Sequence, residues 1–334
     1  MRGARVAYRE VEAVAQPGDA VDRPGRSARG IPFEGVQLGL DRPDVFGEAV
    51  GVVRRKGTAG QDGLPHRGAE RLELAGQGVR GLSDEAVRLL EGAGIGLGLA
   101  QGPLLADGGV GTELLRRGNL RIDSCLEQLN LISPELVRSV HLEYIEAGAE
   151  LIETNTYGAN RVRLEHHGLQ DSVVEINRRA VEIAKEAQRL TGPHVWIAGA
   201  VGPLGKSLAP LGPISRSQAR ETFREQVQAL TNAGVDLLVL ETFTGLAEVQ
   251  EAIAAANSVG SLPIMALLTF TEEGVTLAGE TPAEVASALS ALGVSTLGAN
   301  CSVGPVPMLH VMEEMTLHTS VPLTTMPNAG FPTY

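Results

Sequence analysis

The chain has 334 residues, 43% of them hydrophobic, and a formal net charge of −12 at pH 7. Its length allows one large α/β domain or two smaller ones, with enough apolar residues for a buried core. The negative charge argues against nucleic acid or an anionic membrane as the main partner.

Two further features of the sequence bear on its location. The only two cysteines, Cys125 and Cys301, are far apart in the chain and belong to no Cys-x-x-Cys motif, which is typical of a reducing compartment. The most apolar early segment, residues 89–100, is too short to span a bilayer. The sequence therefore predicts a soluble cytoplasmic protein.

Residues 1–82 are rich in Arg, Gly, Val and Pro and keep no period of 3.6 or 2 residues. We predict an extension without stable structure, which is either a natural tail or an artefact of translation upstream of the true start. Residues 83–334 are predicted to form the folded domain, which opens with a helix at 83–92.

From residue 103 onward, apolar runs alternate with amphipathic stretches. Seven runs are predicted strands, at 103–106, 150–153, 195–199, 235–240, 263–270, 296–300 and 321–326. The main predicted helices begin near 113 and 134 or span 173–188, 218–232, 246–257 and 306–315, and Thr281-Pro282-Ala283-Glu284 is a capping box that starts another helix.

Nearly continuous apolar strands separated by helices indicate a parallel sheet covered by helices. A doubly wound open sheet would satisfy this pattern, but the spacing of the units and the polar residues at strand ends favour a (β/α)8 TIM barrel. Only eight residues follow the seventh predicted strand. We therefore expect a barrel that lacks its last strand and helix and leaves the edges of strands one and seven unpaired.

Polar residues follow several of these strands, namely Asp107, Asn155, Glu241 and Cys301. The carboxyl ends of barrel strands share one face, so we expect these side chains to converge there. Each also has a structural interpretation: Asp107 as a turn residue, Asn155 as a partner for loop backbone groups, and Cys301 as a small buried hydrophobe.

Six motifs occur in a characteristic order along the chain. They are Asp107-Gly108-Gly109-Val110-Gly111-Thr112, Glu153-Thr154-Asn155-Thr156-Tyr157, Gly199-Ala200-Val201-Gly202-Pro203, Glu241-Thr242-Phe243, Gly298-Ala299-Asn300-Cys301 and Pro327-Asn328-Ala329-Gly330. Over residues 103–332 the chain closely resembles the homocysteine S-methyltransferase domain. The nearest resemblance is to bacterial proteins in which this domain precedes a methylenetetrahydrofolate reductase domain.

The resemblance implies a (β/α)8 barrel that holds one zinc ion through three cysteine thiolates. The first thiolate would be Cys301, and the other two, a Cys-Cys pair after strand eight, are expected beyond Tyr334. The resemblance also implies that Asp107 and Glu241 bind the amino acid substrate, and Asn155 is a third candidate for substrate binding. The implied partners are homocysteine, a methyl donor and, in a longer protein, a C-terminal reductase domain.

Two functional hypotheses follow. In the first, the chain is a zinc-dependent homocysteine S-methyltransferase, inactive as it stands because its metal site is incomplete. Zinc would leave a fourth position for the homocysteine sulfur and remove its proton, and two carboxylates suit the substrate ammonium group. In the second, the chain is a noncatalytic fragment that acts as a binding or pairing module and completes its sheet with another chain.

Overall fold

The computed structural model describes residues 51–53, 104–192 and 195–328. By its internal contacts the chain divides into Met1–Gln37, which lies outside the described residues, and Leu38–Tyr334. The helix predicted at 83–92, most of the extension predicted at 1–82 and the last two residues of the Pro327-Asn328-Ala329-Gly330 motif also lie outside the described residues. The division of the chain at residue 82 stays a prediction.

One sheet of seven strands organises the described residues. Its strands are β1 Gly51–Val53, β2 Leu151–Glu153, β3 Trp196–Val201, β4 Leu237–Phe243, β5 Ile264–Leu268, β6 Thr296–Asn300 and β7 Leu323–Met326. The spatial order is β1-β7-β6-β5-β4-β3-β2, and β2 to β7 run parallel to one another. The first predicted strand contributes a single parallel bridge, between Ala106 and Leu151.

Helices connect consecutive parallel strands. Those in the described residues are α1 Val110–Gly118, α2 Leu129–Ile132, α3 Pro134–Glu146, α4 Arg161–Leu164, α5 Val173–Thr191, α6 Arg216–Ala233, α7 Leu246–Val259, α8 Pro282–Ala291 and α9 Pro305–His318. The mostly parallel sheet curls into a half-barrel flanked by helices. The predicted α/β architecture of an incomplete (β/α)8 barrel is confirmed.

Local sequence signals account for several helix starts. Thr281 and Glu284 form the predicted capping box at α8, in which each side chain binds the backbone of the other. Ser215 and Gln218 form a second capping box at α6, which we did not predict. The hydroxyl of Ser133 makes no capping hydrogen bond, so α3 starts with the proline at its first position and without a side-chain cap.

Alternation along each strand separates two apolar layers. Leu238 and Leu240 of β4 belong to the large core between the sheet and the helices. Leu237 and Val239 belong to a smaller cluster inside the curl, which also contains Leu151 of β2. Strand positions in register with the inner cluster therefore point into the barrel.

The outer edge of β7 is paired within this chain. Strand β1 runs antiparallel to β7, with Gly51 opposite Thr325 and Val53 opposite Leu323. The expectation that the edge of the seventh strand is unpaired is therefore wrong, because a short segment from the N-terminal part of the chain occupies it. No sequence pattern predicts this strand, since three residues are too few for a detectable period.

Candidate active site

Asp107 lies in the loop after the first predicted strand and is 3% exposed. Its Oδ2 accepts a hydrogen bond of 2.9 Å from the backbone N–H of Glu153, whereas its Oδ1 is buried without a hydrogen-bond partner. Burial raises the pKa of Asp107 well above its ordinary value; the hydrogen bond from Glu153 opposes this shift and the negative charge of Glu241 adds to it. Asp107 and Glu241 are therefore close enough to interact electrostatically.

Glu241 occupies an inward position near the carboxyl end of β4, two residues after the inner-layer Val239. The pairing of β4 with β5 shifts register between Leu240 and Phe243. Thr242, in this irregular segment, has a φ of 60° and donates a hydrogen bond of 3.3 Å from its hydroxyl to Glu241 Oε2. The carboxylate thus lies where the regular strand ends.

Cys301 follows β6 directly and is half-buried. Its backbone N–H donates to the carbonyl of Met326 on β7, at 2.9 Å, and its Sγ lies 3.7 Å from Thr242 Oγ1 and 3.5 Å from Asn300 Nδ2. Cys301 and Ser302 both have left-handed φ values, 58° and 61°, which are uncommon outside glycine. The chain therefore turns sharply at the thiol.

Tyr157 borders the same site from the loop after β2. Burial raises its pKa to about 12. The neighbouring charges of Glu241 and Cys301 also raise this pKa, whereas the charge of Arg163 lowers it. The guanidinium of Arg163 stacks over the ring at 4.9 Å. The structure thus brings Asp107, Glu241 and Cys301 to one face, as the barrel topology predicts.

Asn155 has a different environment. Its Nδ2 donates to the carbonyl of Leu126 at 2.8 Å and to Asn130 Oδ1 at 3.1 Å, and its own carbonyl accepts from Asn130 Nδ2 at 2.8 Å. Both amide hydrogens are thus used to hold the segment that leads into α2. These contacts favour the structural interpretation, and a substrate-binding role for Asn155 stays a prediction.

Two site residues were missed at the sequence level, Thr242 and Asn300. Asn300 is 1% exposed and contacts Glu241, Thr242 and Cys301 through its amide group. The available signal was its position at the end of a strand, directly before the predicted metal ligand. Its partners on β4 are 58 and 59 residues away in sequence, so no local pattern reveals them.

The described residues do not by themselves fit a zinc site. They contain no group of three or more His, Cys, Asp or Glu side chains arranged to hold a metal ion. Cys301 supplies one thiol with hydrogen-bonding neighbours, and Cys125 pairs instead with Glu127, at 3.5 Å between Sγ and Oε2. One thiolate cannot complete a tetrahedral site.

Comparison with known proteins identifies the family. The model of the homocysteine S-methyltransferase family matches residues 104–334, and the chain belongs to this family of methyltransferases. Methionine synthase of Mycobacterium leprae is 31% identical over 247 residues, which are 70% of this chain and 20% of that protein. Methionine synthase of Mycobacterium tuberculosis is 29% identical over 248 residues, 70% of this chain and 21% of that protein. The chain thus spans about a fifth of the length of these relatives.

A solved structure shows the same relationship. The homocysteine methyltransferase MmuM from Escherichia coli, in its metallated form, superposes with a TM-score of 0.59 at 26% sequence identity. The match covers 66% of this chain and 82% of that protein.

None of the helices in the described parts of this chain is long and apolar enough to cross a membrane.

Proposed function

We propose that this chain carries the homocysteine-binding domain of a methyltransferase that converts homocysteine to methionine. Membership of the family and the activities for which its relatives are named support this proposal. The single observation that carries it is the pair formed by Asp107 and Glu241, two carboxylates within electrostatic reach of each other, one with a buried oxygen that lacks a partner.

This pair suits the ammonium group of an amino acid. An ammonium group would donate to Asp107 Oδ1 and relieve the repulsion between the two carboxylates. Because the pKa of Asp107 is raised without ligand, binding of a cation should favour its ionised form. The pair would then fix the amino end of the substrate, while Cys301 and its neighbours mark the place for the sulfur end.

In the reaction, the homocysteine sulfur attacks the methyl carbon of the donor, a new S–CH3 bond forms, and the bond between the methyl group and the donor breaks. The thiol proton leaves to solvent. The residues of this chain would contribute by holding the amino acid so that its sulfur approaches the methyl carbon in line. S-methylmethionine, S-adenosylmethionine, betaine and methylated cobalamin are all candidate donors.

Zinc dependence is also part of what we propose for the whole enzyme. A bound zinc ion would lower the pKa of a coordinated thiol. The described residues do not complete such a site, so we assign no step to zinc. Cys301 is the thiolate that this chain would contribute, and the remaining ligands would come from segments outside the described residues. A cytoplasmic location and a C-terminal reductase domain likewise stay predictions.

Calorimetric titration tests the proposal. The 334-residue chain should bind L-homocysteine and should bind 2-hydroxy-4-sulfanylbutanoate, which lacks the ammonium group, at least tenfold more weakly. Asp107→Asn and Glu241→Gln should each weaken homocysteine binding by about 10- to 100-fold, since each removes a charged hydrogen-bond acceptor worth about 1.5–3 kcal/mol. Glu313→Gln, on the exposed surface of α9, is the matched control.

Equal binding of the two ligands, or unchanged binding in both site variants, would refute the assignment of the amino end. Formation of methionine in the presence of zinc, tested with each donor, then addresses catalysis separately. We expect no turnover from the chain alone, because its described residues contain no group of three or more side chains that could hold a metal ion.

The alternative of a pairing module receives less support. It requires another chain to extend the sheet, and of the two edges expected to be open, that of β7 is already paired with β1 of this chain. The opposite edge, at β2, carries only the single bridge to Ala106 among the described residues, and no observation indicates a partner there. We therefore retain the methyltransferase domain as the single proposed function.

A further inference from the structure

The end of β4 holds a backbone conformation that its sequence disfavours. Thr242 has a φ of 60°, in the left-handed region that β-branched residues rarely adopt. It lies within the register shift between Leu240 and Phe243. Glu241 immediately precedes this strained residue, so the direction of its carboxylate depends on whatever keeps Thr242 in place.

Asn300 keeps Thr242 in this conformation through two hydrogen bonds, and we call this its holding role. Its Oδ1 accepts from the backbone N–H of Thr242 at 2.9 Å, and its Nδ2 donates to Thr242 Oγ1 at 2.8 Å. The same Nδ2 lies 3.3 Å from Glu241 Oε2 and 3.5 Å from Cys301 Sγ. Since β5 lies between β4 and β6, this amide links two strands that are not adjacent in the sheet.

The chemistry of the amide group explains why this residue type suits the position. A primary amide presents an acceptor and a donor from one rigid carbon, and Thr242 offers a matching N–H and hydroxyl. Aspartate would keep the acceptor but lose the donor and would place a second charge beside Glu241. Alanine would leave the N–H of Thr242 without this partner.

We infer that Asn300 is a positioning residue that fixes the separation between Glu241 and Cys301. This inference rests on the proposed function, in which Glu241 binds the ammonium group and Cys301 marks the sulfur end. Because this separation is fixed, only a substrate of matching length places its ammonium group at Glu241 and its sulfur near Cys301. Asn300 thereby selects homocysteine over cysteine, which is shorter by one methylene, a difference that binding sites discriminate by about 10- to 200-fold.

The first test needs no ligand. Urea unfolding of the full chain compares the wild type with Asn300→Ala, Thr242→Gly and the double variant. Asn300→Ala should lower the unfolding midpoint. In the Asn300→Ala background, Thr242→Gly should raise it again, because glycine adopts a left-handed φ without help. Strictly additive effects of the two substitutions would overturn the holding role.

Asn177→Ala provides a matched control for this test. Asn177 is another fully buried asparagine, and its amide binds the carbonyls of Ala159 and Val173 in the helical layer. Its loss should lower the urea midpoint, but Thr242→Gly should not restore it. Restoration in both backgrounds would show that glycine stabilises the chain for an unrelated reason and would also overturn the holding role.

The second test measures selectivity by calorimetric titration with L-homocysteine and L-cysteine. Asn300→Ala should weaken homocysteine binding about tenfold and reduce the ratio of the two affinities, whereas Asn177→Ala should leave the ratio unchanged. An unchanged ratio in Asn300→Ala would overturn the positioning role. If the wild type binds neither amino acid, the proposed function fails and the selective role of Asn300 fails with it, while the urea midpoints still decide whether Asn300 holds Thr242.

Discussion

Gly298 and Thr324 lie opposite each other in the parallel strands β6 and β7. A Cβ atom added at Gly298 would fall on the carbonyl oxygen of Thr324. No rotamer change relieves this overlap, because the obstructing atom belongs to the backbone of the neighbouring strand. The glycine at the start of Gly298-Ala299-Asn300-Cys301 therefore allows the close approach of β7, which in turn accepts the N–H of Cys301 through Met326.

Gly298→Ala should consequently destabilise the protein severely. Forcing the strands apart would disturb several ladder hydrogen bonds, and we expect a loss of about 3 kcal/mol or more in the free energy of unfolding, at or above the upper end for overpacked sites. The control is Gly304→Ala in the loop that follows β6, where the nearest atom, the carbonyl oxygen of Asn328, is 3.8 Å from the added Cβ. Urea unfolding of the two variants measures the difference, and equal midpoints would contradict the steric explanation.

The sequence predicted the sheet because its strands are nearly continuous apolar runs, a pattern set by burial on both faces. It also predicted the meeting of Asp107, Glu241 and Cys301, since barrel topology brings strand ends to one face. The inward direction of the Asn300 side chain could also have been predicted. Thr296, Gly298 and Asn300 alternate along β6, and the interior position of the last follows from the pleat.

Other features depend on long-range contacts and could not be predicted. The hydrogen bonds of Asn300 to Thr242 span 58 residues and cross over β5, and the left-handed φ of Thr242 contradicts the local preference of threonine. Helix α1 begins at Val110, three residues before the predicted start at Glu113, within a glycine-rich stretch that discourages helix in isolation. In these places tertiary contacts outweigh local propensity.

His141 should make the protein sensitive to acid. It lies in α3 with no exposed surface, neither ring nitrogen has a hydrogen-bond partner, and burial lowers its pKa to about 4. The unfolded state, with a pKa near 6.5, binds the proton more readily, so stability is lost as pH falls from about 6.5 to about 4. The full loss is about 3 kcal/mol, the free energy that corresponds to the difference between these two pKa values.

His141→Leu should remove this loss and should not destabilise the protein at pH 7, since an apolar group of similar size replaces unpartnered polar atoms. Unfolding free energies measured between pH 4 and 7.5 test it. The control is His310→Leu on the exposed side of α9. If both variants flatten the pH profile equally, the assignment to His141 is wrong.

Cys125 should react slowly with alkylating reagents. Burial and the charge of Glu127 raise its pKa to about 11, so only about one thiol in a thousand is ionised at pH 8. Iodoacetamide labelling followed by peptide mass spectrometry should show at least a hundredfold slower modification of Cys125 in the folded chain than in urea. Similar rates in the two states would contradict the raised pKa.

Glu127→Gln separates the two causes of this shift. The glutamine carbonyl can still accept the hydrogen bond that Glu127 Oε1 receives from Gly158 N, at 2.6 Å, while the negative charge is lost. Labelling of Cys125 should therefore become faster without unfolding. If the rate does not change, burial alone controls the thiol.

Asp107→Asn should gain stability at pH 7 and lose substrate binding. The folded state raises the pKa of Asp107, so its contribution to stability is present at low pH and is lost as pH rises above the ordinary carboxyl range. Asparagine mimics the protonated form and can still accept the hydrogen bond from Glu153 N. We expect the variant to be more stable than the wild type at pH 7 by about 1–3 kcal/mol, the penalty of an unsatisfied buried polar group, and to match it near pH 3.

The opposite behaviour is expected of Glu113→Gln, which makes it a sharp control. Although burial raises the pKa of Glu113, its ion pairs with Arg116 and Arg117 bring the net pKa below the ordinary value. Its carboxylate therefore stabilises the fold at pH 7, and its replacement should destabilise it. Thermal unfolding across pH 3–8, with homocysteine titration at pH 7, would show Asp107→Asn gaining stability while losing the ligand. A destabilised Asp107→Asn at pH 7 would mean that the carboxylate supports the fold and does not await a cationic substrate.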